Sequence, residues 1–416
     1  MEAFTYRSAE LYCESVPLTT IATAVGTPTY VYSRQAILSS FRAYDQALVT
    51  VPHVTCYAMK ANMNLSVLAA LATAGAGIDV LSGGELFRAL TAGIDAKKIV
   101  FAGVGKQESE MREALKAGIL MFNVESPSEL RLLDRTAQSL GLRAPVALRV
   151  NPDVDPETHP YISTGLKSSK FGIPITQAFA EYRAAASMSG IEVVGIHMHI
   201  GSQLVKTSPL ADALARIVPL IETLRANGIA IRYLDAGGGL GIRYKDEHPP
   251  SPDAYAEALL PTVKKLGVTL VIEPGRAIVG NAGVLLTRVL YRKEAETKRF
   301  VVVDAAMNDL IRPSLYNAYH EIRPVKEPRQ AAVELVDVVG PICESGDFLA
   351  KDRELPTVDE GDLLAVMSAG AYSFAMASNY NARPRAAEVL VDGDKFSVVR
   401  RRESYEDLIA GETLPS

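Results

Sequence analysis

His53-Val54-Thr55-Cys56-Tyr57-Ala58-Met59-Lys60-Ala61-Asn62 begins as a buried strand and ends in a lysine. Its first residues are mostly apolar, as a short strand inside a sheet requires. Asn64 then stands as an N-cap before Leu65, Leu68, Ala69, Leu71 and Ala72, which share one helix face. Lys60 therefore lies where a buried strand gives way to a loop. Lysine is seldom buried without a partner. Taken alone, such a lysine simply leaves the core and reaches water. The alternative is an amine held beside a pocket, partly desolvated and ready to condense with a carbonyl. The flanking sequence has to choose between them.

From His53 onward, short apolar runs alternate with helical patterns. The predicted strands cover residues 53–59, 77–81, 98–102, 120–124, 146–150, 193–199, 231–236 and 269–272. Helix-like stretches cover 84–92, 108–117, 128–140, 176–188, 209–226 and 252–266, and several run into Gly93, Gly118, Gly141, Gly190, Gly228 or Gly267, a common helix stop. Alternating β and α predicts a parallel sheet. Eight strands in roughly 230 residues predict a closed (β/α)8 barrel. An open doubly wound sheet would call for a glycine-rich dinucleotide turn after the first strand, and Ala61-Asn62-Met63 is not one.

After Gly280 the pattern changes. Residues 284–291, 300–303, 332–339, 363–367, 388–391 and 396–400 alternate in polarity and carry turn signals such as Asp392-Gly393. They predict antiparallel strands and a second, β-rich domain. Residues 28–32 also read as a strand, followed by a helix from about Arg34 to Ala47. The expected division is 28–280 for the barrel, with 1–27 and 281–416 forming the β-rich domain; residues 1–27 look like a short leading segment.

Composition narrows the classes of function. The chain has 416 residues, enough for a large core and for about two or three domains. A net charge of −5 gives no general case for nucleic-acid or membrane binding. Arg400-Arg401-Arg402 is followed by Glu403 and reads as a solvated strand end. Met1-Glu2-Ala3-Phe4 lacks the basic start and apolar core of a secretory signal. The uncharged stretch 65–78 is too short to span a bilayer. Three cysteines, Cys13, Cys56 and Cys343, show no metal-ligand spacing and fit a reducing cytoplasm. His197-Met198-His199 is not part of an HExxH pattern, so no metal is expected.

Barrel active sites lie at the C-terminal ends of the strands. Reading those ends in turn gives Lys60, then Ser82-Gly83-Gly84-Glu85, Arg149-Val150-Asn151, His197 through Gln203, Asp235 through Gly239, and Glu273-Pro274-Gly275-Arg276. Each has a plain explanation. The triplet Gly237-Gly238-Gly239 is by itself a flexible loop, His199 a core histidine, and Glu273 a partner for Arg276. Together they describe more: an amine for a carbonyl, a glycine cradle whose N–H groups approach a phosphate, an acid for a protonated ring nitrogen and a flat ring. That combination points to pyridoxal phosphate.

The same residues resemble a known family. Residues 57–62, His199-Ile200-Gly201-Ser202-Gln203, Gly237 through Gly241 and Glu273 through Arg276 are similar to the motifs of pyridoxal-phosphate decarboxylases built on an alanine-racemase-like barrel, and more narrowly to the diaminopimelate decarboxylases. His159 through Gly165 with Lys170-Phe171-Gly172 resemble that family's loop after the fifth strand. Arg312-Pro313-Ser314-Leu315-Tyr316, Cys343-Glu344-Ser345-Gly346-Asp347 and Gly370-Ala371-Tyr372 resemble its C-terminal motifs. The resemblance runs from about Pro28 to Tyr380.

It implies the following roles. Lys60 holds the cofactor covalently, His199 stacks on its ring and Ser202 lies close to it. Gly237, Gly238, Gly239, Gly275 and Arg276 hold its phosphate side, with Tyr372 helping there or touching substrate. Glu273 keeps the ring nitrogen protonated, which makes a strong electron sink and favours decarboxylation over racemisation. Cys343 donates a proton from the partner subunit of a homodimer whose active sites lie at the interface. Arg276, Arg312, Tyr316 and Glu344 receive the far end of the substrate, meso-diaminopimelate, which carries both a carboxylate and an ammonium. The expected reaction is its decarboxylation to L-lysine and CO2, the last step of lysine biosynthesis. Two other readings stay open: a decarboxylase of ornithine, arginine or a carboxylated polyamine, for which Arg312 has no purpose, and a non-catalytic pyridoxal-phosphate carrier, for which neither the second domain nor Cys343-Glu344 has one.

Overall fold

A computed structural model describes residues 2–155, 170–327 and 332–415. The chain forms two compact units. One comprises Leu38–Ile242 and Glu247–Ile278; the other comprises Met1–Ile37, Arg243–Asp246 and Val279–Ser416.

The first unit is a closed barrel of eight parallel strands: β1 (His53–Ala58), β2 (Gly77–Val80), β3 (Ile99–Phe101), β4 (Met121–Val124), β5 (Ala144–Asn151), β6 (Ile191–His197), β7 (Tyr233–Asp235) and β8 (Thr269–Ile272). Each strand pairs with the next, and β8 returns to β1 through Leu270↔His53, Val271↔Val54 and Ile272↔Thr55, so no edge remains. The helices between them start where the sequence supplies an oxygen. Asn64 Oδ1 accepts from the Ser66 N–H at 2.9 Å, and Ser82, Ser126 and Ser251 cap the helices that follow them. Each such cap is worth about 1 kcal/mol. Gly118 and Gly267 end their helices in the left-handed conformation. Cys56, Val100, Met121, Ala147, Val194 and Val271 form one buried apolar cluster drawn from six of the strands.

The second unit is β-rich. Its main sheet runs Phe348–Pro356, Val333–Val339, Arg299–Val303, Gly283–Glu294, Thr29–Ser33, Ala387–Asp392 and Lys395–Arg400. Leu363–Val366 also pairs with the long strand Gly283–Glu294, and Ile322–Pro324 pairs with Leu363–Val366. Three differences from the sequence reading stand out. The sheet is mixed, since Arg299–Val303 runs parallel to Val333–Val339 and Thr29–Ser33 parallel to Ala387–Asp392. The barrel does not begin at residue 28, because Thr29–Ser33 is hydrogen-bonded inside this sheet. Residues 1–27, assigned to this domain but read only as a short leading segment, form three short strands and the helix Leu18–Val25, and Phe4, Leu11, Leu18 and Ile21 share a core with Val284, Leu286 and Val389. No helix among the described residues is long and apolar enough to cross a membrane.

Candidate active site

In a small barrel, alternate strands fill the lumen in layers. Here the four even strands supply a polar set: Asp79 from β2, Asn123 from β4, His197 from β6 and Glu273 immediately after β8. All four are buried. Asn123 Nδ2 donates to Asp235 Oδ2 at 2.8 Å and to Glu273 Oε1 at 3.2 Å. Strand β4 neighbours neither β7 nor β8, so these bonds cross the lumen. Lys60, in the single 3-10 turn Met59–Ala61 that follows β1, reaches in to bond Asp79 Oδ2 at 3.0 Å. Its side chain is 35% exposed while that of Asp79 is fully buried, so the amine sits at a boundary between lumen and solvent. This excludes the plain reading in which Lys60 only escapes to water.

Three carboxyl groups in one dry lumen cannot all ionise. Burial pushes Glu273 up, but the neighbouring His197 and Lys60 outweigh it and hold Glu273 well below the usual carboxylate range. The His197 Nε2 atom lies 3.6 Å from Glu273 Oε2, an ion-pair distance rather than a hydrogen bond. Burial and the charge on Glu273 push Asp235 well up, and push Asp79 up to about 7 although Lys60 pulls the other way. The lumen thus keeps one fixed negative charge, on Glu273. His197, Asp235 and Glu273 offer three metal-ligand atoms within 4.8 Å of one another, a juxtaposition absent from the sequence reading. Asn123 and the Gly237 N–H already occupy both Asp235 oxygens, and Asn123 occupies one of Glu273.

The glycine triplet closes the next layer. Gly237 and Gly239 take positive φ, 67° and 120°. A Cβ on Gly238 would lie 2.0 Å from the Glu273 carbonyl oxygen, so the loop after β7 packs directly on the chain after β8. The Gly238 N–H donates to His199 Nδ1 at 3.2 Å. Burial, Arg149 and Lys60 push the half-buried His199 well down, which leaves its ring neutral with the other nitrogen carrying the proton. The Ala58 N–H donates to the Pro274 carbonyl at 3.1 Å, tying the end of β1 to the chain before Gly275. Arg276 is buried and donates to Ser202 Oγ at 3.2 Å. Lys60, His199, Ser202, Gly237, Gly238, Gly239, Glu273, Gly275 and Arg276 all therefore belong to the barrel unit and its C-terminal rim.

Sequence reasoning missed Asp79 and Asn123, and it reached Asp235 only as the start of the strand end that leads into the glycine triplet, with no task given to it. A signal for Asp79 was present: an acid inside the apolar run Gly77-Ile78-Asp79-Val80 is a buried charge looking for a partner. On the same rim Arg149 Nη1 donates to Glu125 Oε1 at 2.8 Å, and the Gly172 N–H donates to Glu125 Oε2 at 2.9 Å. The rest of that loop motif, His159 through Gly165, lies outside the described residues.

The remaining expected site residues lie in the β-rich unit. Arg312 opens the short helix Arg312–Tyr316 and is 6% exposed, not the surface arginine a lone Arg-Pro turn suggests. Its Nη1 donates to Tyr244 Oη at 3.1 Å and its guanidinium lies 4.8 Å from the Tyr244 ring centroid. Tyr316, at the end of that helix, is half-buried. Cys343 and Glu344 are exposed on one loop, where Glu344 Oε2 accepts from Tyr380 Oη at 2.7 Å. Tyr372 sits at φ 55°, a left-handed conformation costly for a bulky side chain and common at functional sites.

A family model described as "Pyridoxal-dependent decarboxylase, pyridoxal binding domain" matches residues 34–280. The diaminopimelate decarboxylase of Pseudomonas aeruginosa is 58% identical over 414 residues, covering 100% of this chain and 99% of that protein. The diaminopimelate decarboxylase of Vibrio cholerae is 52% identical over 416 residues, covering 100% and 99%. Among solved structures, diaminopimelate decarboxylase from M. jannaschii in co-complex with L-lysine superimposes with a TM-score of 0.95 at 39% identity, covering 100% of this chain and 98% of that one. The Helicobacter pylori diaminopimelate decarboxylase complexed with L-lysine gives a TM-score of 0.92 at 44% identity, covering 94% and 98%.

Proposed function

The chain belongs to the diaminopimelate decarboxylases of the pyridoxal-dependent decarboxylase family, and from that premise we propose how its own residues carry out the conversion of meso-diaminopimelate to L-lysine and CO2. It is a pyridoxal-phosphate enzyme, a carbon–carbon lyase. The donor set fits that cofactor: one amine at the lumen's edge, one buried fixed carboxylate, a neutral flat ring, and a glycine loop beside a buried guanidinium. Among the described residues no group satisfies the buried polar atoms Asp79 Oδ1 and Arg149 Nη2, as expected beside a polar ligand. When bound, pyridoxal phosphate supplies the sink for the electron pair that departing CO2 leaves behind.

Each residue then has a task. Lys60 is the amine that holds the cofactor, with Asp79 steadying it beforehand. Glu273 is the charge that keeps a ring nitrogen protonated, and Asn123 fixes the orientation of its carboxylate. His199 presents a neutral face and, with the glycine loop packed against it, helps keep water from the lumen. Gly237, Gly238, Gly239, Gly275, Ser202 and Arg276 bind the phosphate side. In the β-rich unit the buried Arg312 offers a forked donor to the distal carboxylate, with Tyr316 and Arg276 assisting, and Glu344 accepts the distal ammonium. Tyr372 touches cofactor or substrate. Cys343 returns a proton to the carbon that has lost CO2. Its exposure, with Glu344, supports a homodimer in which this loop serves the partner's site. Three free thiols support a cytoplasmic home.

The observation that carries the reading is the lumen set Lys60–Asp79 and Asn123–Glu273, found in a chain alike over its whole length to diaminopimelate decarboxylases. Its test is CO2 release from meso-diaminopimelate, L-ornithine and L-arginine with added pyridoxal phosphate. Release from diaminopimelate alone, with L-lysine in equal amount, is the expected result. Release from a diamine precursor alone would keep the cofactor and overturn the roles of Arg312 and Glu344.

A further inference from the structure

Two adjacent side chains with assigned tasks, Cys343 and Glu344, sit on an exposed loop, where burial does nothing to fix them. What holds them is a second exposed segment nearly forty residues later. Asn381 Oδ1 accepts from the Cys343 N–H at 2.9 Å, and Tyr380 Oη donates to Glu344 Oε2 at 2.7 Å. The two bonds come from consecutive residues and end on consecutive residues.

The segment that makes them is strained and tied down. Asn381 and Ala382 both take left-handed backbone, φ 55° and 53°. Asparagine tolerates that conformation; alanine resists it by about 1 kcal/mol or more. Asn379 Nδ2 donates to the Arg383 carbonyl at 3.0 Å, bridging the turn, and to Glu403 Oε2 at 2.7 Å. Glu403 in turn accepts from Arg385 Nε at 2.7 Å. Both segments also anchor on one strip of chain. The Ser378 N–H donates to the Asn308 carbonyl at 2.9 Å, and the Met307 N–H donates to Asp347 Oδ1 at 2.7 Å, four residues beyond Cys343. Asp347 Oδ2 accepts from the Ile342 N–H, one residue before Cys343. Strain that persists on a surface needs surroundings that over-determine it, and here the determined object is the Cys343-Glu344 pair.

We infer that the Tyr380-Asn381-Ala382 turn is a positioning clamp, in which Asn381 sets the backbone that carries the Cys343 thiol and Tyr380 sets the Glu344 carboxylate. The inference rests on the substrate-facing roles assigned above to Cys343 and Glu344. Tyr380 and Asn381 are positioning residues, and each acts through one neighbour. Loss of Asn381 disturbs proton delivery, and loss of the Tyr380 hydroxyl disturbs substrate binding.

The test uses the holoenzyme and three variants: Asn381→Gly, which tolerates the left-handed turn but lacks the acceptor; Asn381→Asp, which keeps both; and Tyr380→Phe. Cys13 and Cys56 are buried, so iodoacetamide reads Cys343. Asn381→Gly is expected to speed alkylation of Cys343 roughly threefold or more and to lower kcat about tenfold with KM nearly unchanged, the worth of one lost orienting hydrogen bond. Asn381→Asp restores both. Tyr380→Phe raises the KM for meso-diaminopimelate about three- to tenfold, a modest effect because the bond is exposed, with kcat and alkylation near wild type. Wild-type alkylation and kcat in Asn381→Gly, or an unchanged KM in Tyr380→Phe, would overturn the clamp. Cys343→Ser separates the two layers of argument: full turnover there would remove the task assigned to Cys343, while alkylation in Asn381→Gly still decides the clamp.

Discussion

The barrel lumen and the Cys343–Glu344 loop both carry residues with proposed tasks, yet they hold them by opposite means. In the lumen, Asp79, Asn123, Asp235 and Glu273 are buried; bonds between non-neighbouring strands tie Asn123 to Asp235 and Glu273, and Lys60 holds Asp79. On the loop, Cys343 and Glu344 are exposed, and a strained turn fixes them from outside. Burial raises the energetic stakes of every polar group and lets one charge be singled out among three acids. Exposure leaves charges screened and lets a loop be shaped by hydrogen bonds alone. A site that needs a permanent charge is best built in the first way. A site that must admit and release a substrate is best built in the second.

The largest effect that can break this contrast is at Lys60. Lys60→Ala is expected to lower turnover by at least about a thousandfold and to abolish the absorbance of covalently held cofactor together with it. Turnover that survives with added cofactor would remove Lys60 from its role. Glu273→Gln is next: kcat is expected to fall about 100- to 1000-fold, as for other preorganised charges, with Cys343 alkylation unchanged. A change in alkylation with normal kcat would reverse the division of labour. Arg312→Lys keeps a cation but loses the fork, so the KM for diaminopimelate is expected to rise about tenfold while the cofactor spectrum stays the same.

The smallest effect concerns stability and is read in the cofactor-free chain. Burial and Glu273 push Asp79 up to about 7 in the folded chain, above its ordinary value. The folded chain therefore binds a proton that the unfolded chain has lost in between. That contribution is complete below about pH 4 and is lost as the pH rises through about 7. Wild type should lose roughly 2–4 kcal/mol relative to Asp79→Asn on going from about pH 4 to about pH 8, measured by denaturant unfolding. A relative gain over that window would mean that Asp79 folds ionised.

The same contrast explains what could be read from the chain. Alternating apolar runs, the cap Asn64 and helix stops such as Gly118 and Gly267 disclose the eight strands and their helices, because periodicity and capping are local. The rim residues Lys60, Glu273 and the glycine triplet follow from the rule that strand ends face the site. Asn123 does not, and the same rule reaches Asp235 without giving it a task, because which side of a short strand faces the lumen depends on register across the barrel, a long-range property. In the β-rich unit the strand Phe348–Pro356 escapes notice because its middle, Lys351-Asp352-Arg353-Glu354, is charged, as suits a sheet edge. Thr29–Ser33 was placed with the wrong unit because its partners lie some 250 and 350 residues away. The tasks proposed for Cys343 and Glu344 rest on resemblance alone. Nothing local distinguishes an exposed cysteine with a task from one without, and the turn that supports it lies nearly forty residues on.

The most direct test measures three constants side by side, the dissociation constant for pyridoxal phosphate, kcat and the KM for meso-diaminopimelate, in Glu273→Gln and Arg312→Lys. Glu273→Gln is expected to change cofactor binding and kcat with little change in KM, and Arg312→Lys to raise KM with cofactor binding intact. Weakened cofactor binding in Arg312→Lys with an unaltered KM would contradict that division of labour.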